Sequence, residues 1–118
     1  MAAAEDPGAG MVELHLRGRV APGRRDDLIA FLAEAIPFYE RPGGIKVRLL
    51  WDVADQDKFI EAVEYADQDT YDRDQTRVEV DTEMVEYLRR WRDLLTGPPQ
   101  VETYSRSLVP SRPGRKAL

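Results

Sequence analysis

The folded part of the chain opens on an alternation. Val12, Leu14, Leu16 and Val20 share one parity, with Gly18 in the same row, and Glu13, His15, Arg17 and Arg19 share the other. A period of two predicts a half-buried strand with one apolar and one polar face. Ala21-Pro22-Gly23 interrupts it. From Arg24 to Ile36, the apolar residues Leu28, Ile29, Leu32, Ala35 and Ile36 recur at helical spacing. Asp26 and Asp27 stand in the first turn, where the helix dipole favours acids. Pro37 disfavours helical geometry at the residue before it, so the pattern predicts a helix that ends near Ile36.

After the turn Arg41-Pro42-Gly43-Gly44, a second alternation sets Ile45, Val47, Leu49, Trp51 and Val53 against Lys46, Arg48, Leu50 and Asp52. Ala54 to Asp57 is a polar loop of hairpin length. Lys58 to Tyr65, with Phe59, Ile60, Ala62 and Val63, then predicts a third strand antiparallel to the second. Asp67 to Glu79 is highly charged, with Tyr71 and Val78 as its few apolar members, and reads as a short helix or an ordered loop. Asp81 or Thr82 can cap a last helix. Its stripe is Met84, Leu88, Trp91 and Leu95, widened by Val85 and Leu94, and Gly97-Pro98-Pro99 stops it. Val101 to Val109 predicts a fourth strand. The ends, 1–10 and 110–118, lack periodicity and are expected to be flexible, the second of them basic, around one domain over 11–109.

The predicted order is β-α-β-β-α-β. It implies an α+β, ferredoxin-like fold: a four-stranded antiparallel sheet with both helices on one face. The opposite face would then carry His15, Arg17, Arg48 and Arg106, with Leu50 and Leu108 among the charges. Apolar residues scattered through such a face suit contact with a second sheet, so a homodimer through the uncovered face is expected.

Composition removes several function classes. The 118 residues suit a single domain and contain no cysteine and one histidine. A thiolate nucleophile is therefore excluded, as is a multi-histidine zinc site within one chain. No apolar run is long enough to span a membrane, and the N-terminus lacks a charged and apolar leader, so a cytoplasmic protein is expected. A net charge of −5 argues against nucleic-acid binding. The aspartates 52, 55, 57, 67, 69, 72 and 74 lack the glycine and closing glutamate of a calcium loop and read as solvated carboxylates. No phosphate-binding glycine loop, dinucleotide fingerprint or nucleophile elbow is present, and no cofactor is expected.

Candidate chemistry rests on a few side chains, each with a structural alternative. His15 can move a substrate proton near neutral pH, or simply belong to the polar sheet face. Trp51 and Tyr65 end strands two and three, where flat aromatics suit a planar ligand and the tyrosine hydroxyl can orient it; such residues are more often core. Tyr71 can cap a pocket or lie along the surface. Arg48 and Arg17 can hold a carboxylate, phenolate or enolate, or pair with Glu13, Glu61, Glu64 or Glu102. Arg24 and Arg25, at a helix start, can attract an anion, against the opposition of Asp26 and Asp27. Trp91 fits its helical stripe and reads as core.

These landmarks resemble a family. The opening strand Val-Glu-Leu-His-Leu-Arg-Gly-Arg-Val, the Pro22-Gly23 helix start, the Pro42-Gly43 turn and the strand end Ala62-Val-Glu-Tyr65 before a polar helix start are similar to antibiotic biosynthesis monooxygenase-like proteins of the dimeric α/β-barrel superfamily. The resemblance runs from Val12 to about Leu108. It implies two ferredoxin-like subunits paired sheet to sheet in a barrel. It also implies a pocket between helices and sheet where an ionised aromatic or polyketide-like substrate meets oxygen without a cofactor. His15 and Tyr65 would then be catalytic, with Trp51, Tyr71, Arg48 and Arg17 binding substrate. The haem-degrading branch uses a first-strand asparagine and a histidine on a later helix; this chain has no asparagine, and its histidine is on the first strand. The alternatives are a non-catalytic dimeric module that binds a small ligand or a protein, and an isomerase or lyase on the same scaffold.

Overall fold

A computed structural model describes residues 10–110. The segments expected to be flexible, 1–10 and 110–118, lie outside the described residues apart from their inner ends. The elements run β1 (Val12–Arg19), α1 (Arg25–Glu40), β2 (Ile45–Trp51), β3 (Lys58–Tyr65), α2 (Gln68–Val80), α3 (Thr82–Arg92) and β4 (Gln100–Ser105). The four strands form one antiparallel sheet in the order β2-β3-β1-β4, the ferredoxin-like arrangement. The charged stretch after β3 is a full helix, so the order is β-α-β-β-α-α-β. Among the described residues, no helix is long and apolar enough to cross a membrane.

Register sorts the side chains onto two faces. Val12, Leu14, Leu16 and Gly18 of β1 stand opposite Tyr65, Val63, Glu61 and Phe59 of β3. Those in turn stand opposite Ile45, Val47, Leu49 and Trp51 of β2. This inner face meets the helices, and its Val12, Leu14, Ile45, Val63 and Tyr65 form one buried cluster. A second, larger cluster joins Phe59 to Leu28, Phe31 and Leu32 of α1 and to Met84 and Trp91 of α3. Gly18 belongs there for a steric reason: a Cβ on it would lie 3.1 Å from Cζ of Phe59.

Three boundaries differ from the sequence pattern. Helix α1 continues through Pro37 to Glu40. Proline removes one backbone hydrogen bond, but the added turn buries Phe38 and Tyr39. Arg77 of α2 donates to the carbonyls of Phe38 and Tyr39 at 2.6 and 3.2 Å and so satisfies the helix end. Helix α2 forms because the Asp67 carboxylate accepts from the Thr70 N–H and hydroxyl at 2.7 and 2.6 Å. Asp81 caps α3 in the same way through the Met84 N–H. Strand β4 ends at Ser105, so Leu108 lies beyond the sheet, and Val53 lies past the end of β2.

Candidate functional site

Between the inner sheet face and helices α2 and α3 lies a cavity of about 240 Å³. An apolar cavity of roughly 150 Å³ accepts benzene, so this one has room for a larger ring system. Leu14, Leu16, Val47 and Val63 form its floor; Tyr71, Val78, Met84 and Leu88 form its roof. At one end the exposed residues Arg92, Val101 and Thr103 border it.

Three polar features break these walls. Glu61 sits on β3 between Leu16 of β1 and Leu49 of β2 and is only 4% exposed. Its Oε1 is buried with no hydrogen-bond partner among the described residues. Burial pushes its carboxyl up to about 7, because no cation offsets the loss of water; the Trp91 indole N–H favours the ionised form slightly. That N–H makes no hydrogen bond of normal geometry to Glu61 and is itself buried without a partner. The third feature is Tyr65, whose hydroxyl donates to Asp74 Oδ2 at 2.6 Å. Burial and the Asp74 carboxylate both push the phenol up, so Tyr65 is a neutral donor at any ordinary pH. Arg77 Nη1, 3.6 Å from Asp74 Oδ1, balances that carboxylate. Tyr71 meets Tyr65 edge to face, with centroids 5.3 Å apart.

The residues singled out in the sequence separate into two groups. Tyr65 and Tyr71 line the cavity. His15, Arg17 and Arg48 lie on the opposite sheet face and do not reach it. There Arg48 donates to Glu13 at 2.7 Å, Arg17 pairs with Glu102, and His15 Nε2 is 3.6 Å from Glu13. Arg106 pairs with Glu64 at 3.4 Å on the same face. Of the four carboxylates expected to meet arginines, Glu61 does not, since its register turns it inward. Trp51 packs on Phe59 with Arg25 stacked 4.2 Å above its ring, and it does not line the cavity. Arg25 also donates to the Gln56 carbonyl, and Arg24 pairs with Asp27, so both already have partners at the α1 start.

Several expected solvated aspartates hold the backbone instead. Asp52 accepts from the N–H groups of Ala54 and Asp55 in the hairpin, and Asp55 pairs with Arg19 at 2.6 Å. Asp67 is a helix cap and Asp74 is buried in the site. The sequence pattern marks Glu61 as an arginine partner, Asp74 as a solvated carboxylate and Trp91 as core, and the structure places all three at the cavity. For Glu61 the signal was present: it shares parity with Phe59, Val63 and Tyr65.

A ferredoxin-like sheet with a cavity under its helices places the chain in a structural class, and solved structures narrow the comparison. A candidate antibiotic biosynthesis monooxygenase from Bordetella bronchiseptica is 25% identical, with a TM-score of 0.70 over 84% of this chain and 99% of that one. SnoaB, a cofactor-independent oxygenase from Streptomyces nogalater, is 18% identical, with a TM-score of 0.70 over 87% and 100%. A conserved protein from Methanosarcina mazei is 11% identical, with a TM-score of 0.73 over 86% and 97%. In structure, then, the chain resembles antibiotic biosynthesis monooxygenase-like proteins. No family model and no curated protein matches the sequence.

Proposed function

We propose that the cavity binds a planar, electron-rich aromatic or polyketide-like molecule and that the protein oxygenates it without a cofactor. The observation that carries this reading is the 240 Å³ cavity itself, apolar on floor and roof, with Tyr65 and Tyr71 on its wall and a polar end at Glu61. Apolar walls with a few placed polar groups suit an aromatic ligand. The cofactor-free form of the reaction is supported by the likeness to SnoaB. For a ring CH2 the sum is CH2 + O2 → C=O + H2O. The substrate, as the CH2 form or as its hydroxyl tautomer, first gives up one proton, and the electron pair of the shared anion is available at the ring carbon. Oxygen then takes those electrons and bonds to carbon; the second hydrogen leaves carbon as a proton, its electron pair forms the C=O bond, and the O–O bond breaks as the outer oxygen leaves as water with that proton and the first one, returned by the group that accepted it. The chain's share is to exclude water, hold the ring against Tyr65 and Tyr71, and accept the first proton.

The uncovered sheet face supports a second proposal, a homodimer. Leu50 is 42% and Tyr104 45% exposed there, among His15, Arg17 and Arg48 in their ion pairs. His15 and the two arginines would then serve the seam.

Oxygen consumption with a panel of polycyclic phenols tests the enzyme reading. Uptake above the uncatalysed rate is expected, and it should be lost in Glu61→Leu and kept in Trp51→Phe. Product formed without oxygen would move the reading to an isomerase or lyase. Neither turnover nor binding would leave the non-catalytic module.

A further inference from the structure

Among the described residues, three buried side-chain atoms of the cavity lining have no hydrogen-bond partner: Glu61 Oε1, Trp91 Nε1 and Asp74 Oδ1, and only the last has a cation beside it, Arg77 at 3.6 Å. Glu61 and Trp91 are each 4% exposed. A buried polar group without a partner is costly, and a native protein keeps one where something else supplies the bond. Glu61 offers an acceptor and Trp91 a donor, so their natural complement is a hydroxyl, which both gives and receives.

The groups around Glu61 narrow the choice. Own-strand Tyr65, Tyr39 of α1, and Tyr71 and Asp74 of α2 are the other ionisable groups that reach the cavity, with Arg92 at its exposed end. Asp74 is held by Tyr65 and Arg77. Beta strands β1 and β2 contribute only aliphatic side chains, and β4 contributes Val101 and Thr103. Among the described residues, no buried cation lines the cavity, so an anionic ligand would meet the Glu61 carboxylate with no buried charge to neutralise it.

We propose that Glu61 and Trp91 form a hydroxyl-reading end of the cavity that admits the ligand as a neutral acid. The Glu61 carboxylate accepts the ligand O–H, and the indole N–H donates to the same oxygen. When the ligand ionises, the proton moves from that oxygen to Glu61, the electron pair stays on the ligand, and Glu61 becomes neutral. This rests on the aromatic-cavity reading and adds the protonation state the site selects. It also makes Glu61, not an arginine, the residue that meets the oxygen.

The test compares 1-naphthol with 1-methoxynaphthalene, which keeps the ring and the oxygen but has no proton to give. Binding is measured by fluorescence from pH 5 to pH 8 on the full chain and on Glu61→Gln, an isostere that takes no proton. In the wild type, 1-naphthol affinity is expected to rise about tenfold with pH as the carboxylate forms, the size expected for a hydrogen bond to a charged group. The methoxy compound should stay flat, and in Glu61→Gln the naphthol curve should flatten too. An infrared titration of the wild-type carboxyl band, absent from Glu61→Gln, shows independently that the group titrates in this range. Equal behaviour of the two ligands, or a pH dependence that survives in Glu61→Gln, overturns this proposal and leaves the aromatic cavity standing. Binding of neither ligand to the wild type overturns both.

Discussion

Replacing Glu61 by leucine removes the one carboxyl on the inner face of the sheet, and the effect on stability must depend on pH. The folded carboxyl titrates near 7 against 4.5 for the free group. Its proton is therefore held more tightly in the folded state. The contribution is fully present below about pH 4.5 and is lost as pH rises to about 7, after which it stays lost. At 1.36 kcal/mol per pH unit, the interval amounts to about 3 kcal/mol, most of it falling between pH 5 and pH 8. The residue is 4% exposed, so solvent screening does not dilute this. Glu61→Leu has no proton to lose. Relative to the wild type it should gain about 2–3 kcal/mol from pH 5 to pH 8, read by urea unfolding at one fixed protein concentration. For a domain of about 100 residues, that corresponds to a relative rise in Tm of about 10 °C or more. Parallel pH dependences of the two proteins, differing by less than about 0.5 kcal/mol, would refute the reasoning, because Glu61 would then be ionised in the fold at little cost.

Tyr65→Phe should lose about 1–3 kcal/mol in urea unfolding, since it strands a buried Asp74 oxygen that now accepts at 2.6 Å. An unchanged midpoint would mean that water or Arg77 replaces the bond. Gly18→Ala places a methyl 3.1 Å from the Phe59 ring and should cost about 1–3 kcal/mol, visible as a lowered Tm. Sedimentation at micromolar concentration should show a dimer for the wild type and a monomer for Leu50→Lys, and a monomeric wild type would contradict the proposed seam.

Strand β1 was legible because its apolar and polar residues alternate, and β2 departs from alternation only at Leu50; β3, with Ile60 and Ala62 outside and Glu61 inside, was legible as an apolar run between polar loops, and β4 ends four residues before the expected Val109. Helix α1 ran past its proline for reasons that no local rule contains: Phe38 and Tyr39 find a core, and Arg77, some forty positions away, finds their carbonyls. Helix α2 was only half legible because its buried positions, Thr70 and Asp74, are polar. The site was partly readable. Tyr65 and Tyr71 line the cavity, whereas His15, Arg17 and Arg48 share the outer face that their own parity with Glu13 gave them. Glu61 was hidden by chemistry, not position. Its parity is apolar, but a carboxylate is ordinarily read as surface, and only the absence of a nearby cation shows how unusual its setting is.

The chain has two tryptophans, and they divide the account cleanly: Trp91 lines the cavity and Trp51 does not. The most direct test of a ligand-binding cavity is therefore a nitrogen–proton NMR titration of the labelled protein with 1-naphthol and a larger hydroxyanthracene. The Trp91 indole signal should shift saturably while the Trp51 signal stays in place. A shift at Trp51 or at His15 on the opposite face, with Trp91 unmoved, would contradict the cavity as the site.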